Sequence, residues 1–166
     1  MHNELTKSDI RKMEEEIEFR KLVERPRLIE DVKEARAHGD LSENFEYYAA
    51  KRAKNQNESR IRYLERMIRT AQVVSDESKE DEVGINNTVT VRFVDDGIQE
   101  TYRIVTTVRG NSLAGLISNE SPLGKALLGC KEGQRVHVAV GAGGYDVEII
   151  HIDKTEDDSQ DKLRSF

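Results

Sequence analysis

His38-Gly39-Asp40-Leu41-Ser42-Glu43-Asn44 is a short polar break between two stretches that both read as long helix. Upstream, from Thr6 to about His38, Ile10, Met13 and Ile17 step by three and four, and Leu22, Leu28, Ile29, Val32 and Ala35 resume the stripe. Thr6 or Ser8 is the expected N-cap, with Asp9 placed to favour the first-turn dipole, and Gly39 supplies the left-handed residue that ends a helix. Pro26 removes an N–H inside this pattern, which predicts a bend near Arg25-Pro26. Downstream, the second helix is expected from about Ser42 to Val73, with a seam of Ile61, Leu64, Ile68 and Ala71, and with Phe45 and Tyr48 near the tip. Two helices of about 30 residues joined by so short a turn must run antiparallel, as a hairpin about 45 Å long at 1.5 Å per residue. Their narrow apolar stripes suit a two-helix coiled coil.

The remainder changes period. Residues 75–82 are charged and aperiodic, after which Val89, Val91 and Phe93 alternate with Thr88, Thr90 and Arg92. Asp95-Asp96-Gly97 turns the chain into Ile98–Val105, and further strands are expected over Ser112–Ile117, Arg135–Val140 and Tyr145–Ile152. Ser121-Pro122 opens a short helix over Leu123–Leu128 that Gly129 closes, and Gly141-Ala142-Gly143-Gly144 reads as a hairpin turn. The expected organisation is α+β: a hairpin domain over 1–74, a linker over 75–82, a small antiparallel β domain with one short helix over 83–153, and a disordered polar tail over 154–166.

Composition narrows the function. No apolar run approaches the roughly 18 to 20 residues needed to span a bilayer, and the N-terminal residues lack the layout of a signal peptide, so a soluble cytoplasmic protein is expected. Cys130 is the one cysteine, which excludes an intrachain disulfide. The net charge of −6 argues against a simple nucleic-acid binder, yet it is unevenly spread. Residues 1–79 carry 17 basic and 17 acidic side chains, so the acidity lies wholly in the second half. Within 47–72 seven cations, Lys51, Arg52, Lys54, Arg60, Arg62, Arg66 and Arg69, face two anions, Glu58 and Glu65. Some of these pair with the acidic first helix, while the tip-proximal Arg36, Lys51, Arg52 and Lys54 suit the approach of a polyanionic strand.

At the tip, Asp40 and Glu43 admit two readings. Their spacing is that of a capping box for the second helix. They could instead offer hard oxygen ligands to Mg²⁺, as an incomplete site whose other ligands come from water, substrate or a partner. Tyr47 and Tyr48 could stack on a base, though Tyr48 also suits packing against the first helix. Other candidates are weaker. The Gly-rich turn lacks the Lys and helix of a phosphate cradle, the four histidines show no ligand spacing, and Cys130 has no partner suggesting nucleophilic chemistry.

The run Ala35-Arg36-Ala37-His38-Gly39-Asp40-Leu41-Ser42-Glu43-Asn44-Phe45-Glu46-Tyr47-Tyr48-Ala49-Ala50-Lys51 resembles the hairpin tip of the bacterial Gre transcript-cleavage factor family. The likeness also takes in Arg25-Pro26, Arg60-Ile61, Ala71-Gln72-Val73-Val74, the segment Ser121-Pro122-Leu123-Gly124-Lys125-Ala126-Leu127-Leu128-Gly129 and Gly143-Gly144. It implies an N-terminal coiled coil and an FKBP-like C-terminal domain, without prolyl isomerase activity. It also implies a non-enzymatic factor that binds RNA polymerase through its secondary channel and stimulates cleavage of the 3′ end of backtracked RNA. Carried over, Asp40 and Glu43 would help hold the polymerase's second Mg²⁺ and orient the attacking water, with no cofactor in the free protein. Arg36, Ser42, Asn44, Tyr47, Lys51 and Arg52 would contact RNA or channel, and Ser121, Pro122, Leu123 and Gly124 would dock on the polymerase. The partners implied are the polymerase and its nascent RNA, with no membrane and no small-molecule substrate. Phe45 stands where the family usually has a small residue, and Cys130 where it commonly has Lys. The alternative within this resemblance is a channel-binding regulator that inhibits cleavage or modulates initiation; Asp40 and Glu43, present without an expanded acidic cluster, favour activation.

Overall fold

The computed structural model describes residues 3–39 and 44–165, so Asp40, Leu41, Ser42 and Glu43 lie outside the described residues. The chain forms two compact units, one from Ile10–Ala71 and one from the residues up to Asp9 together with Gln72–Ser165.

Helix α1 spans Lys7–Phe19, α2 spans Arg25–Ala37 and α3 spans Phe45–Arg69. The start of α1 is a reciprocal cap, in which the Asp9 N–H donates to Thr6 Oγ1 at 3.2 Å and the Thr6 N–H donates to Asp9 Oδ2 at 2.9 Å. Between α1 and α2 the chain takes a π-helical turn over Arg20–Glu24, with the Arg25 N–H donating to the Arg20 carbonyl. The interruption expected at Arg25-Pro26 therefore falls just upstream of the proline. Pro26 cannot donate, and its ring opposes the carbonyl four residues back, so a wider turn relieves the clash. The extra residue rotates the helical face, which corrects the expected seam: Leu22 is 68% exposed, and Val23 and Ile29 also face solvent.

The interior that remains is thin. Met13, Leu28 and Ala35 are buried on one side of the hairpin, and Ile61 and Leu64 on α3. Polar links cross between the two sides. Glu16 accepts from Arg20 Nε at 2.7 Å and from Arg60 Nε at 2.8 Å. Asn57, only 2% exposed, accepts from Arg20 Nη1 at 2.9 Å and donates to the Arg20 carbonyl at 3.3 Å. Arg25 grips Glu58 with two bonds of 3.0 and 2.8 Å, and Lys21 meets Glu65 at 2.9 Å. The links form two series, Glu16–Arg60 then Arg20–Asn57 and Lys21–Glu65 then Arg25–Glu58, and each steps backwards along α3 as it advances along the first side, as an antiparallel hairpin requires.

In the other unit, β1 (Glu4–Leu5) pairs in parallel with β2 (Gln72–Val73). A five-stranded sheet follows from β3 (Thr88–Phe93), β4 (Gln99–Val105), β5 (Leu116–Ser118), β6 (Arg135–Val140) and β7 (Gly143–Asp153), in the order β5-β4-β3-β7-β6. It is mixed, not wholly antiparallel, because β5 runs parallel to β4. The strand expected over Ser112–Ile117 begins instead as a 3₁₀ turn at Ser112–Ala114, and Gly115, at φ +76°, reverses the chain into a shorter strand. Val89 and Val91 point inward as the alternation predicted. In β7 a register shift opposite Thr90/Val91 lets Ile149 and Ile152, three residues apart, both reach the core while Ile150 faces out. Helix α4 (Pro122–Leu127) covers this core with Leu127.

A buried charge network fastens the ends of this unit. Asp9 and Arg109 are fully buried and meet at 2.6 Å, and Asp9 also accepts from Thr106 Oγ1 at 2.7 Å. Arg109 Nη1 reaches Asn86 Oδ1 at 2.8 Å and Asp161 Oδ2 at 2.7 Å, and Arg103 donates to both oxygens of Asp161. The segment beyond Asp153, expected as a disordered tail, is thus tied down. Two guanidiniums out of water need two carboxylates, and Asp161 is the second. The Arg164 N–H donating to the Val108 carbonyl at 2.7 Å holds the same stretch. Lys154 anchors the region expected as a linker, its Nζ lying 2.7 to 2.8 Å from Ser78 Oγ, the Lys79 and Glu82 carbonyls and Asn87 Oδ1. Among the described residues no helix is long and apolar enough to cross a membrane.

Asp9→Ala should lower the unfolding free energy by about 3–5 kcal/mol in chemical denaturation, because it leaves a buried guanidinium short of one carboxylate. The hairpin should also be acid-sensitive. Burial alone would raise the Glu16 carboxyl, but hydrogen bonds from Arg60 and Arg20 hold it below its ordinary 4.5. Its contribution is therefore present above that value and fades as pH falls below it, so Glu16→Gln should flatten the loss of helical circular dichroism on acidification.

Candidate functional site

The described flanks of the turn at the hairpin end are joined by one side chain. Asn44 is the N-cap of α3: its Oδ1 accepts from the Tyr47 N–H at 3.0 Å, while its Nδ2 donates to the Ala35 carbonyl at 2.6 Å. It satisfies an orphan donor at the start of α3 and gives the Ala35 carbonyl, which also accepts from the His38 N–H at 3.3 Å, a second and shorter bond at the end of α2. This corrects the expected start at Ser42, and the cap falls to Asn44 with Tyr47 at the third helical position. The capping-box reading of Asp40 and Glu43 lies outside the described residues. Asn is as good a cap as Asp, and its spacing to Tyr47 was the available signal.

Around this junction Arg36 lies with its guanidinium 5.6 Å from the centre of the Tyr47 ring. Its hydrogen bond, helped by nearby Lys51 and Lys54, draws the phenol below its ordinary value. The Tyr47 and Tyr48 rings meet edge to face at 5.5 Å, so Tyr48 is half exposed instead of packed in the seam, and Phe45 is 84% exposed. His38 Nδ1 lies 3.2 Å from Glu46 Oε2. The basic stripe divides in two. Arg60 is consumed by Glu16, and Arg60 and Arg66 flank the Tyr63 ring, whereas Lys51, Arg52 and Lys54 make no ion pair with any described residue. The structure thus brings Arg36, Asn44, Tyr47, Lys51 and Arg52 to one end of the hairpin, and Ser42 lies outside the described residues.

Of the second group of expected residues, Ser121, Pro122 and Leu123 line an open groove of about 670 Å³ in the sheet-bearing unit, and Gly124 is buried behind them. Ser121 Oγ accepts from the Gly124 N–H at 3.1 Å and donates to the Ser118 carbonyl at 2.6 Å, and Pro122 opens α4. A side chain at Gly124 would collide with the Ser118 carbonyl, so glycine permits this close approach of helix and strand. Tyr102, Ile117, Leu123, Val140 and Tyr145 supply an apolar lining, with Leu113 fully exposed at the rim. The Gly-rich run resolves into a two-residue turn at Gly141-Ala142, with Gly143 and Gly144 inside β7. Cys130, whose thiol burial pushes up, donates to the Ala126 carbonyl and is structural. No group of three or more His, Cys, Asp or Glu among the described residues could hold a metal ion.

Two family profiles cover this chain: residues 3–73 match "Transcription elongation factor, N-terminal", and residues 77–154 match "Transcription elongation factor, GreA/GreB, C-term". The chain belongs to the GreA/GreB transcription elongation factor family. It is 45% identical to Transcription elongation factor GreA of Streptococcus gordonii over 153 residues, 92% of this chain and 96% of that one. The identity to GreA of Streptococcus sanguinis is also 45%, over 152 residues, 91% and 95% of the two chains. Among solved structures it is similar to Gfh1 of Thermus aquaticus, at 26% identity, 90% and 97% coverage and a TM-score of 0.40. Factors of this family stimulate transcript cleavage by RNA polymerase and leave the chemistry to the polymerase.

Removing the bridging cap should loosen the hairpin end. Asn44→Ala should cost about 1 kcal/mol in thermal unfolding of the helical signal, and Asn44→Asp should restore only the half of the bridge that accepts from Tyr47.

Proposed function

We propose that the hairpin enters the secondary channel of RNA polymerase in the cytoplasm and presents Asp40 and Glu43 to the active centre, where a backtracked transcript is cleaved. The observation that carries this reading is the Asn44 cap. Helix α3 has an N-cap in Asn44, which supports the metal-ligand reading of Asp40 and Glu43 over the capping one. As hard oxygen donors they fit Mg²⁺, but two are too few to retain it, so the metal is the polymerase's own and the factor adds to its shell. That metal supplies Lewis-acid activation of water and of the scissile phosphate. Asp40 and Glu43 then strengthen its hold and accept a hydrogen bond from the attacking water.

The other residues serve positioning. Arg36, Ser42, Asn44, Tyr47, Lys51 and Arg52 contact the extruded RNA or the channel wall, and the exposed cations attract phosphate in a confined, low-dielectric passage. Arg36 is held in place by Tyr47, so its charge is directed before RNA arrives. Ser121, Pro122, Leu123 and Gly124 dock on the polymerase rim through the apolar groove. The cap interaction of Ser121 keeps Pro122 and Leu123 at its edge.

Asp40→Asn combined with Glu43→Gln should abolish stimulated cleavage in a reconstituted backtracked complex while leaving polymerase binding within about twofold. Cleavage at the parental rate, or inhibition of cleavage by the parental protein, would overturn the reading.

A further inference from the structure

Phe45 is the first residue of α3, directly after the cap, and at 84% exposure its ring meets solvent. Among the described residues it has no ring partner, whereas Tyr47 is engaged by Arg36 and Tyr48 touches Tyr47. A large apolar ring held in water at the end of a hairpin contributes nothing to the fold. Its cap neighbour Asn44 fixes the helix beneath it, so its position is set even though its ring is left largely to solvent. Along α3 the positions 45, 48 and 52 follow helical i, i+3, i+7 spacing and share a face. That face carries, in order, an exposed phenyl, a half-exposed phenol and an exposed guanidinium with no ion pair to any described residue. Aromatic rings followed by unpaired positive charge form the surface that binds single-stranded nucleic acid: the rings accept a base on a π-face and the cation takes a phosphate. Charge favours such an occupant over a protein surface, because Lys51, three residues beyond Tyr48, adds one more exposed cation at the flank of this face.

We propose that Phe45 is a base-stacking residue for the unpaired 3′ segment of the transcript, with Tyr48 and Arg52 continuing the same face. This rests on the proposed entry of the hairpin end into the active centre and adds a specificity to it. The factor senses a nucleobase of the extruded RNA, and not only its phosphates. Purines, which stack more strongly, should be favoured over pyrimidines at the stacked position.

The test measures cleavage of a transcript backtracked by two nucleotides as a function of factor concentration, with normal and abasic residues at the extruded positions. Phe45→Ala should raise the half-saturating concentration about 10-fold while leaving the saturated rate unchanged. Phe45→Trp should restore the parental value and Phe45→Leu should not. On the abasic transcript, parental protein and Phe45→Ala should become equivalent. The proposal is overturned if Phe45→Leu matches the parent, or if the Phe45→Ala penalty is the same on abasic RNA, since both would mean an apolar contact with the polymerase. Failure of the underlying reading is separable, for it appears as retained cleavage in the Asp40→Asn, Glu43→Gln variant. Because Phe45 is exposed, all three substitutions should leave helical content unaltered.

Discussion

Two helices packed only on one another cannot surround a core, and this constraint governs the hairpin. Each buried Leu or Ile is worth roughly 1.5–3 kcal/mol, and the interior holds few of them. What sets the pairing of the helices is the polar ladder formed by Glu16, Arg20 and Asn57 with Arg60, and by Arg25 with Glu58. Apolar seams tolerate a slip along the helix axis, but a slip here would strand a buried amide and a carboxylate. The register is therefore specified by hydrogen bonding more than by area. A fixed register gives the hairpin a fixed reach, which the proposed entry into the polymerase requires.

Much of this was legible in the chain. The presence of two long helical stretches, the left-handed Gly39 between them, the strand alternation around Val89 and Val91 and the Ser121-Pro122 cap all depend on neighbours in sequence, and these stand as expected, although the second helix starts at Phe45 and ends at Arg69 instead of running from about Ser42 to Val73. The failures are non-local. The π-helical turn answers both to Pro26 and to Asn57 on the opposite helix, so local pattern put Leu22 on the wrong face. Strand β5 runs parallel because the 3₁₀ turn and Gly115 return the chain beside β4, which alternation in so short a strand cannot reveal. Asn44 is one of several cap-forming residues near the turn, and its bond across the hairpin to the Ala35 carbonyl is not written in local sequence.

The Asp9–Arg109 pair is the clearest case of a contact hidden from local reading, its members being 100 positions apart in the chain. Asp9 looks like an ordinary first-turn acid, and Arg109 like a surface cation in a loop. Together with Arg103 and Asp161 they make a neutral, desolvated cluster that recruits the last segment of the chain. Polar composition suggested a loose tail, yet its acidic character is what the buried guanidiniums demand.

The pair of hydrogen bonds made by Asn44 has an evolutionary consequence. It joins the end of α2 to the start of α3 through residues that flank the turn. Substitutions at exposed positions beside this junction, Phe45 among them, can alter how the factor meets its partner while the two helices stay joined. A lineage could thereby change a surface contact without first repairing a damaged fold.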